Sequence, residues 1–198
     1  YGSGRAAGGS CMIQQPAIIQ ALLTPSPWNR PGILLDDVRA IFLHWTATPN
    51  ASAMDMRNFF ENLSVTHFEV ASAHYGISQD GTIVQMVPDN EVSYASGWYV
   101  YSPGVNQKLD GANLHRHIIS IEVCPADAAG NYTEATMDAQ IRLCAWLLQK
   151  FNLRQSDLWR HYDACGYDGI HPPKECPKFF VDHPREWEVF KQKVGALL

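Results

Sequence analysis

The 198-residue chain predicts an α/β fold, a single domain with a central mixed β-sheet flanked by helices. Three observations point there. Short runs rich in β-branched and aromatic residues, such as VRAIFLHWTAT and HIISIEVCP, alternate with stretches of helical apolar period. Two further short runs meet at Asp80-Gly81, a two-residue turn signal that adds an antiparallel hairpin to the sheet. The length fits one domain with a sizeable core, and no internal repeat divides it.

Taken in order, residues 1–12 (YGSGRAAGGSCM) are mostly small and polar, with no starting Met. They read as a linker or cloning remnant, leaving 13–198 as the working domain. IQQPAIIQALL (13–23) predicts a short helix, which TPSPWNRPG breaks because each proline fixes its own backbone and restricts its predecessor. VRAIFLHWTAT predicts a buried strand with His44 near its end. Ser52 with Asp55 three residues later forms a capping box for a helix over about 53–63, whose Met56, Phe59, Phe60 and Leu63 keep the helical period. SAHYGISQDGTIVQMVP is the hairpin, and 91–116 is loop-rich with aromatics in SGWYVYSPG. HIISIEVCP (117–125) is a strand. Thr133 caps the clearest helix, with Met137, Ile141, Cys144, Leu147, Leu148 and Phe151 on one face. DLWRHYD gives a short strand or turn. Pro184 suits the first turn of a last helix carrying Trp187, Phe190 and Val194 on one side.

Bulk properties exclude several functions. A net charge of −5 offers no basic patch for nucleic acid. Apolar runs such as AIIQALL are too short to span a bilayer, and no charged-then-apolar leader is visible. The five cysteines, at 11, 124, 144, 165 and 176, are odd in number and scattered, unlike a disulfide scaffold; Cys165 and Cys176 can still pair across a loop.

The chemistry concentrates in RHYDACGYDGIHPPKECPKFF (160–180). A lone histidine at a strand end is commonly structural, but His44, His161 and Cys176 together are good Zn²⁺ ligands. Three protein ligands leave a fourth position for water, whose pKa the ion lowers to about 7. Neither CxxC pairs nor HExxH is present, so the ligands come from widely separated elements.

The ordered set FLHWTA, SAHYGISQDGTIVQMVP, ISIEVC, RHYD and KECPKFF resembles the type 2 N-acetylmuramoyl-L-alanine amidases. These are zinc enzymes of phage endolysins and bacterial autolysins, related to peptidoglycan recognition proteins. The likeness runs from about residue 18 to 195, and NRPG and CPKFFVDHPREWEVFK give it a phage or sporulation-autolysin look. The resemblance implies His44, His161 and Cys176 as zinc ligands, with Lys174 of KEC stabilising an oxyanion; without that motif, Lys174 reads sooner as a solvated loop lysine. Glu122 sits between apolar neighbours in a strand, where an unpaired carboxylate is costly, and the resemblance makes it the proton shuttle. One branch of the family carries a Tyr on the strand before the Asp-Gly turn; Ala73 stands there, and the role does not pass to Tyr75 two residues on. The role of His74 stays open, and His171 and Cys165 are rival ligands. The implied function is cleavage of the amide between N-acetylmuramic acid and L-alanine in peptidoglycan, at the bacterial cell wall, after secretion or phage delivery. The rival readings are a peptidoglycan-binding module without catalysis, a zinc peptidase cutting the stem peptide, and a structural zinc site. Trp98, Tyr99 and Tyr101 are candidates to line the groove. The sequence does not set the oligomeric state.

Overall fold

A computed structural model describes residues 12–198. Residues 1–11, including Cys11 and nearly all of the expected linker, lie outside the described residues. The sheet has six strands: β1 (Ile18–Gln20), β2 (Ala40–Trp45), β3 (Tyr75–Ile77), β4 (Ile83–Gln85), β5 (Ile118–Val123) and β6 (Leu158–Arg160). Their order is β1-β4-β3-β5-β2-β6. Only β3 and β4 run antiparallel; the other four pairings are parallel, so the mixed α/β sheet is as the sequence predicts. Gly81 closes the hairpin at φ 83°, and a Cβ there would meet the Ala135 carbonyl at 2.9 Å, so the turn requires glycine twice over.

The principal helices follow the sequence signals. Helix α1 (Ala53–Thr66) starts at the Ser52/Asp55 capping box, α3 (Glu134–Lys150) at the Thr133 cap and α6 (Pro184–Gly195) at Pro184. Side chains alternate across the central strands. Ile41, Leu43, Ile119 and Ile121 face α3 and α6, meeting Leu143, Leu147, Leu148, Trp187 and Phe190 in the largest core. Ala40, Phe42 and Ile118 face the other way, onto Val105 and Leu109 of α2 (Pro103–Leu109), while α1 covers β4 through Met56, Phe60 and Leu63.

Three expectations are corrected. No helix forms over 13–23: Pro16 interrupts it, and the β-branched pair Ile18–Ile19 joins the sheet edge beside β4. The loop-rich 91–116 segment contains α2, capped by the Ser102 hydroxyl with Pro103 opening its first turn, and a 3-10 turn over 111–116. The buried face of α3 is centred on Ala139, Leu143 and Leu147, so Met137, Ile141 and Phe151 pack at its margin. Short helices α4 (His161–Ala164) and α5 (Lys178–Asp182) complete the chain, and no helix among the described residues is long and apolar enough to cross a membrane.

Since Leu143 is fully buried where α3 meets the sheet, Leu143→Ala is expected to cost about 2–5 kcal/mol of unfolding free energy in urea titrations. A loss below about 1 kcal/mol would mean that this face repacks freely.

Candidate metal centre

The site follows from strand register. In the parallel β2–β5 pair, His44 stands directly opposite Glu122, on the same sheet face. On the other side of β2, Leu43 pairs with Arg160, the last residue of β6. His161 is therefore one residue past that strand, level with His44. All three residues lie at carboxyl ends of parallel strands, where open α/β sheets place their ligands.

The turn carrying His161 is held from both sides. The Arg160 guanidinium grips the Asp163 carboxylate and donates to the Phe180 carbonyl, while the Arg160 backbone N–H donates to Asp163 Oδ2. Cys176 arrives on the loop before α5, and its carbonyl accepts from the Tyr162 N–H at 2.8 Å, tying the third candidate ligand to the turn of the second.

One ring nitrogen of each of His44 and His161 and the Cys176 sulfur lie within 4.8 Å of one another, each residue being at most 2 % exposed. His44 Nδ1 faces Cys176 Sγ at 3.8 Å, and the two imidazoles meet edge to face. Both ring nitrogens of His161 are sealed without a hydrogen-bond partner, as is Glu122 Oε2. Buried polar atoms are normally paired, so these orphans call for a group the protein chain does not supply. Two imidazoles and a thiolate match a borderline-soft divalent ion.

The electrostatics also suit a cation. Burial, reinforced by the neighbouring His161 and Lys174, holds His44 well below the usual histidine range. Burial and then Lys174 bring His161 to about 3. Both rings are thus neutral and able to offer a lone pair. Burial, with the Glu122 carboxyl adding to it and Lys174 opposing it, raises the Cys176 thiol far above its usual value. Burial lifts Glu122 to about 7, against the opposing pull of Lys174. Lys174 itself is exposed, its ammonium in no ion pair among the described residues, and its field reaches His44, His161 and Glu122.

The five residues singled out in the sequence therefore share one neighbourhood. The rivals do not join the ligand set. Cys165 is a free thiol that donates to the His161 carbonyl, and no disulfide forms among the described cysteines. His171 pairs with Asp168 and stacks on Tyr99 at 3.6 Å. His74 is a satisfied core residue between the Glu91 carbonyl, the Ser93 hydroxyl and the Ser120 N–H. Tyr75 turns away to donate to Asp89. Of the aromatic loop, Trp98 packs edge-on to His161, Tyr99 stays exposed, and Tyr101 packs against the α2 core. Sequence reasoning passed over Ser96, whose hydroxyl lies 3.0 Å from His44 Nε2, and Tyr132, whose sealed hydroxyl lies in the field of Cys176 and Glu122. Neither carries a local signal, since both meet the site only through the fold.

A buried donor triad beside a carboxylate of raised pKa, at the carboxyl ends of parallel strands, is an arrangement suited to a metal-dependent hydrolase. The sequence profile of the family described as N-acetylmuramoyl-L-alanine amidase matches residues 35–179, well over half of the chain, and the chain belongs to that family. A probable N-acetylmuramoyl-L-alanine amidase of Bacillus licheniformis is 29% identical over 185 residues, covering 91% of this chain and 48% of its own length. The N-acetylmuramoyl-L-alanine amidase BlyA of Bacillus subtilis (strain 168) is 30% identical over 185 residues, with 85% and 44% covered. The chain thus spans just under half the length of these curated relatives. Among solved structures, the catalytic domain of XlyA superposes with a TM-score of 0.67 at 26% identity, over 91% of this chain and all of that one.

The buried carboxyl has a measurable consequence in metal-free protein. Glu122 binds its proton more tightly when folded, so the folded state loses stability as pH rises from about 4.5 to about 7. Glu122→Gln is therefore expected to be more stable than wild type at pH 8, by at most about 3 kcal/mol because part of the side chain remains accessible, with the gap closing by pH 4. The depressed histidines act oppositely, withdrawing stability from both proteins as pH falls below about 6.5. Chemical denaturation of apo protein across that range checks both slopes.

Proposed function

We propose that residues 13–198 form the catalytic domain of a zinc-dependent amidase. Its substrate is the bond between N-acetylmuramic acid and L-alanine in peptidoglycan, and its place of action is the bacterial cell wall. The observation that carries this reading is the convergence of His44, His161 and Cys176, buried and facing one another, next to Glu122, in a chain of the amidase family. His44, His161 and Cys176 would hold the zinc, which would supply a Lewis acid and lower the pKa of a bound water.

The remaining steps belong to the chain. Glu122, level with His44 across the β2–β5 ladder, takes the proton of the attacking water on its carboxylate and returns it to the leaving L-alanine nitrogen. A carboxyl near pH 7 can accept and release that proton at neutral pH. Lys174, with its uncommitted ammonium, stabilises the negative charge developing on the carbonyl oxygen. Trp98, packed against His161, and exposed Tyr99 form the wall on which the substrate leans.

Purified peptidoglycan digested by apo protein with and without added Zn²⁺ tests the reading. Zinc-dependent release of new L-alanine N-termini, without internal peptide cuts or new reducing ends, is expected. Internal cuts would instead identify a stem-peptide peptidase, and retention on peptidoglycan without any cleavage would identify a binding module. Glu122→Ala and Lys174→Ala are each expected to lower kcat by about 10²- to 10³-fold, at the scale of a lost proton shuttle or oxyanion donor. In the wild type, kcat/KM is expected to fall with acid as Glu122 becomes protonated, at a pH below its metal-free value of about 7, because a bound cation favours the ionised carboxylate.

A further inference from the structure

The segment Ser96-Gly97-Trp98 touches both candidate histidine ligands, though it stands about fifty residues from His44 and more than sixty from His161 along the chain. Ser96 is buried, and its hydroxyl lies 3.0 Å from His44 Nε2. The other nitrogen of that ring, Nδ1, faces Cys176 Sγ. The Gly97 backbone lies beside His161 without satisfying either ring nitrogen. Trp98 packs edge-on against His161.

Contacts just before the segment and at its end hold it in place. Ser93 is bonded to the core histidine His74, and the Trp98 indole N–H donates to the Gly166 carbonyl, on the loop that leads to Cys176. Ser96 itself adopts φ 67°, in the left-handed region where glycine is the unstrained residue. A buried, strained serine where glycine would fit the backbone better points to a use for the hydroxyl.

We propose that Ser96 is a positioning residue for the metal ligand His44: its oxygen accepts the Nε2 proton, so that the Nδ1 lone pair is directed at His161 and Cys176. The inference rests on the zinc reading above. A neutral imidazole carries one proton on one nitrogen, and a ligand nitrogen must be bare. The Ser96 hydroxyl can donate or accept; with Nδ1 facing the Cys176 thiol, the ring proton falls to Nε2, where the Ser96 oxygen accepts it and holds the ring orientation before any ion arrives. Partners of this kind contribute about 10–100-fold to metal affinity.

Two variants separate the hydroxyl from the backbone. Ser96→Gly removes the oxygen and relieves the strained φ, whereas Ser96→Ala removes the oxygen and keeps the strain. Zinc affinity is measured by competition with a chromophoric chelator, and the His44 tautomer of the metal-free proteins by nitrogen-15 NMR. The expected result is an Nε2–H tautomer in wild type, a mixture of tautomers in both variants, and zinc binding weakened about 10–100-fold in both, although Ser96→Gly is the more stable fold. Unchanged affinity or an unchanged tautomer in Ser96→Gly overturns the role of Ser96 and leaves the metal site standing. Absence of zinc binding by the wild type overturns the site and this inference together.

Discussion

The parallel register of β2 with its two neighbours is the constraint on which the rest depends. It sets His44 opposite Glu122 and leaves His161 one step beyond β6. Because side chains alternate along a strand, a slip of one residue would turn His44 or Glu122 onto the opposite, α3-covered face. The ladder is protected accordingly. Ile41, Leu43, Ile119 and Ile121 fill the core under α3, while Ala40, Phe42 and Ile118 fill the one on the other face, so a shifted register would bury the wrong residues on both sides.

Around that frame the protein gathers groups that oppose stability. Two neutral histidines, a buried thiol and a carboxyl of raised pKa all resist being charged where they sit. Taken singly, each is a desolvation penalty. Together they suit one positive ion, which can meet the histidine lone pairs, draw the proton from sulfur and favour the ionised carboxylate. The surrounding contacts restrain the donors: Arg160 with Asp163 around His161, the Cys176 carbonyl on the Tyr162 N–H, and the Ser96 hydroxyl at His44. The rigidity comes from the sheet and from hydrogen bonds that reach across long stretches of chain.

Much of this was legible in the residues. The Ser52/Asp55 capping box, the Thr133 cap, Asp80-Gly81, Pro184 and the β-branched strands announce their elements because they act through neighbours in sequence. The candidate ligands and Glu122 were found by residue chemistry combined with ordered family motifs, and the structure brings them together. The failures have an equally physical basis. Residues 13–23 carry enough apolar residues for a helix, but the open edge of β4 offered Ile18–Gln20 a ladder that local propensity cannot foresee. Helix α2 has a start signal in Ser102-Pro103, but it is short and follows an aromatic-rich loop whose composition hides it. The rivals His74, His171 and Cys165 could be told from ligands only by their partners: a carbonyl and a serine, an aspartate and a tyrosine, and a backbone oxygen.

The sequence by itself determined the class of fold, the principal helices and the donors available for a metal, since propensity, capping and side-chain chemistry are local properties. Only the tertiary structure decided which donors meet, that Glu122 stands level with His44, that Cys165 and Cys176 remain separate thiols, and that Ser96 reaches the far side of the His44 ring. Those outcomes depend on strand register and on loops closing over a sheet, which are set by burial summed over the whole chain and leave no mark at any single residue.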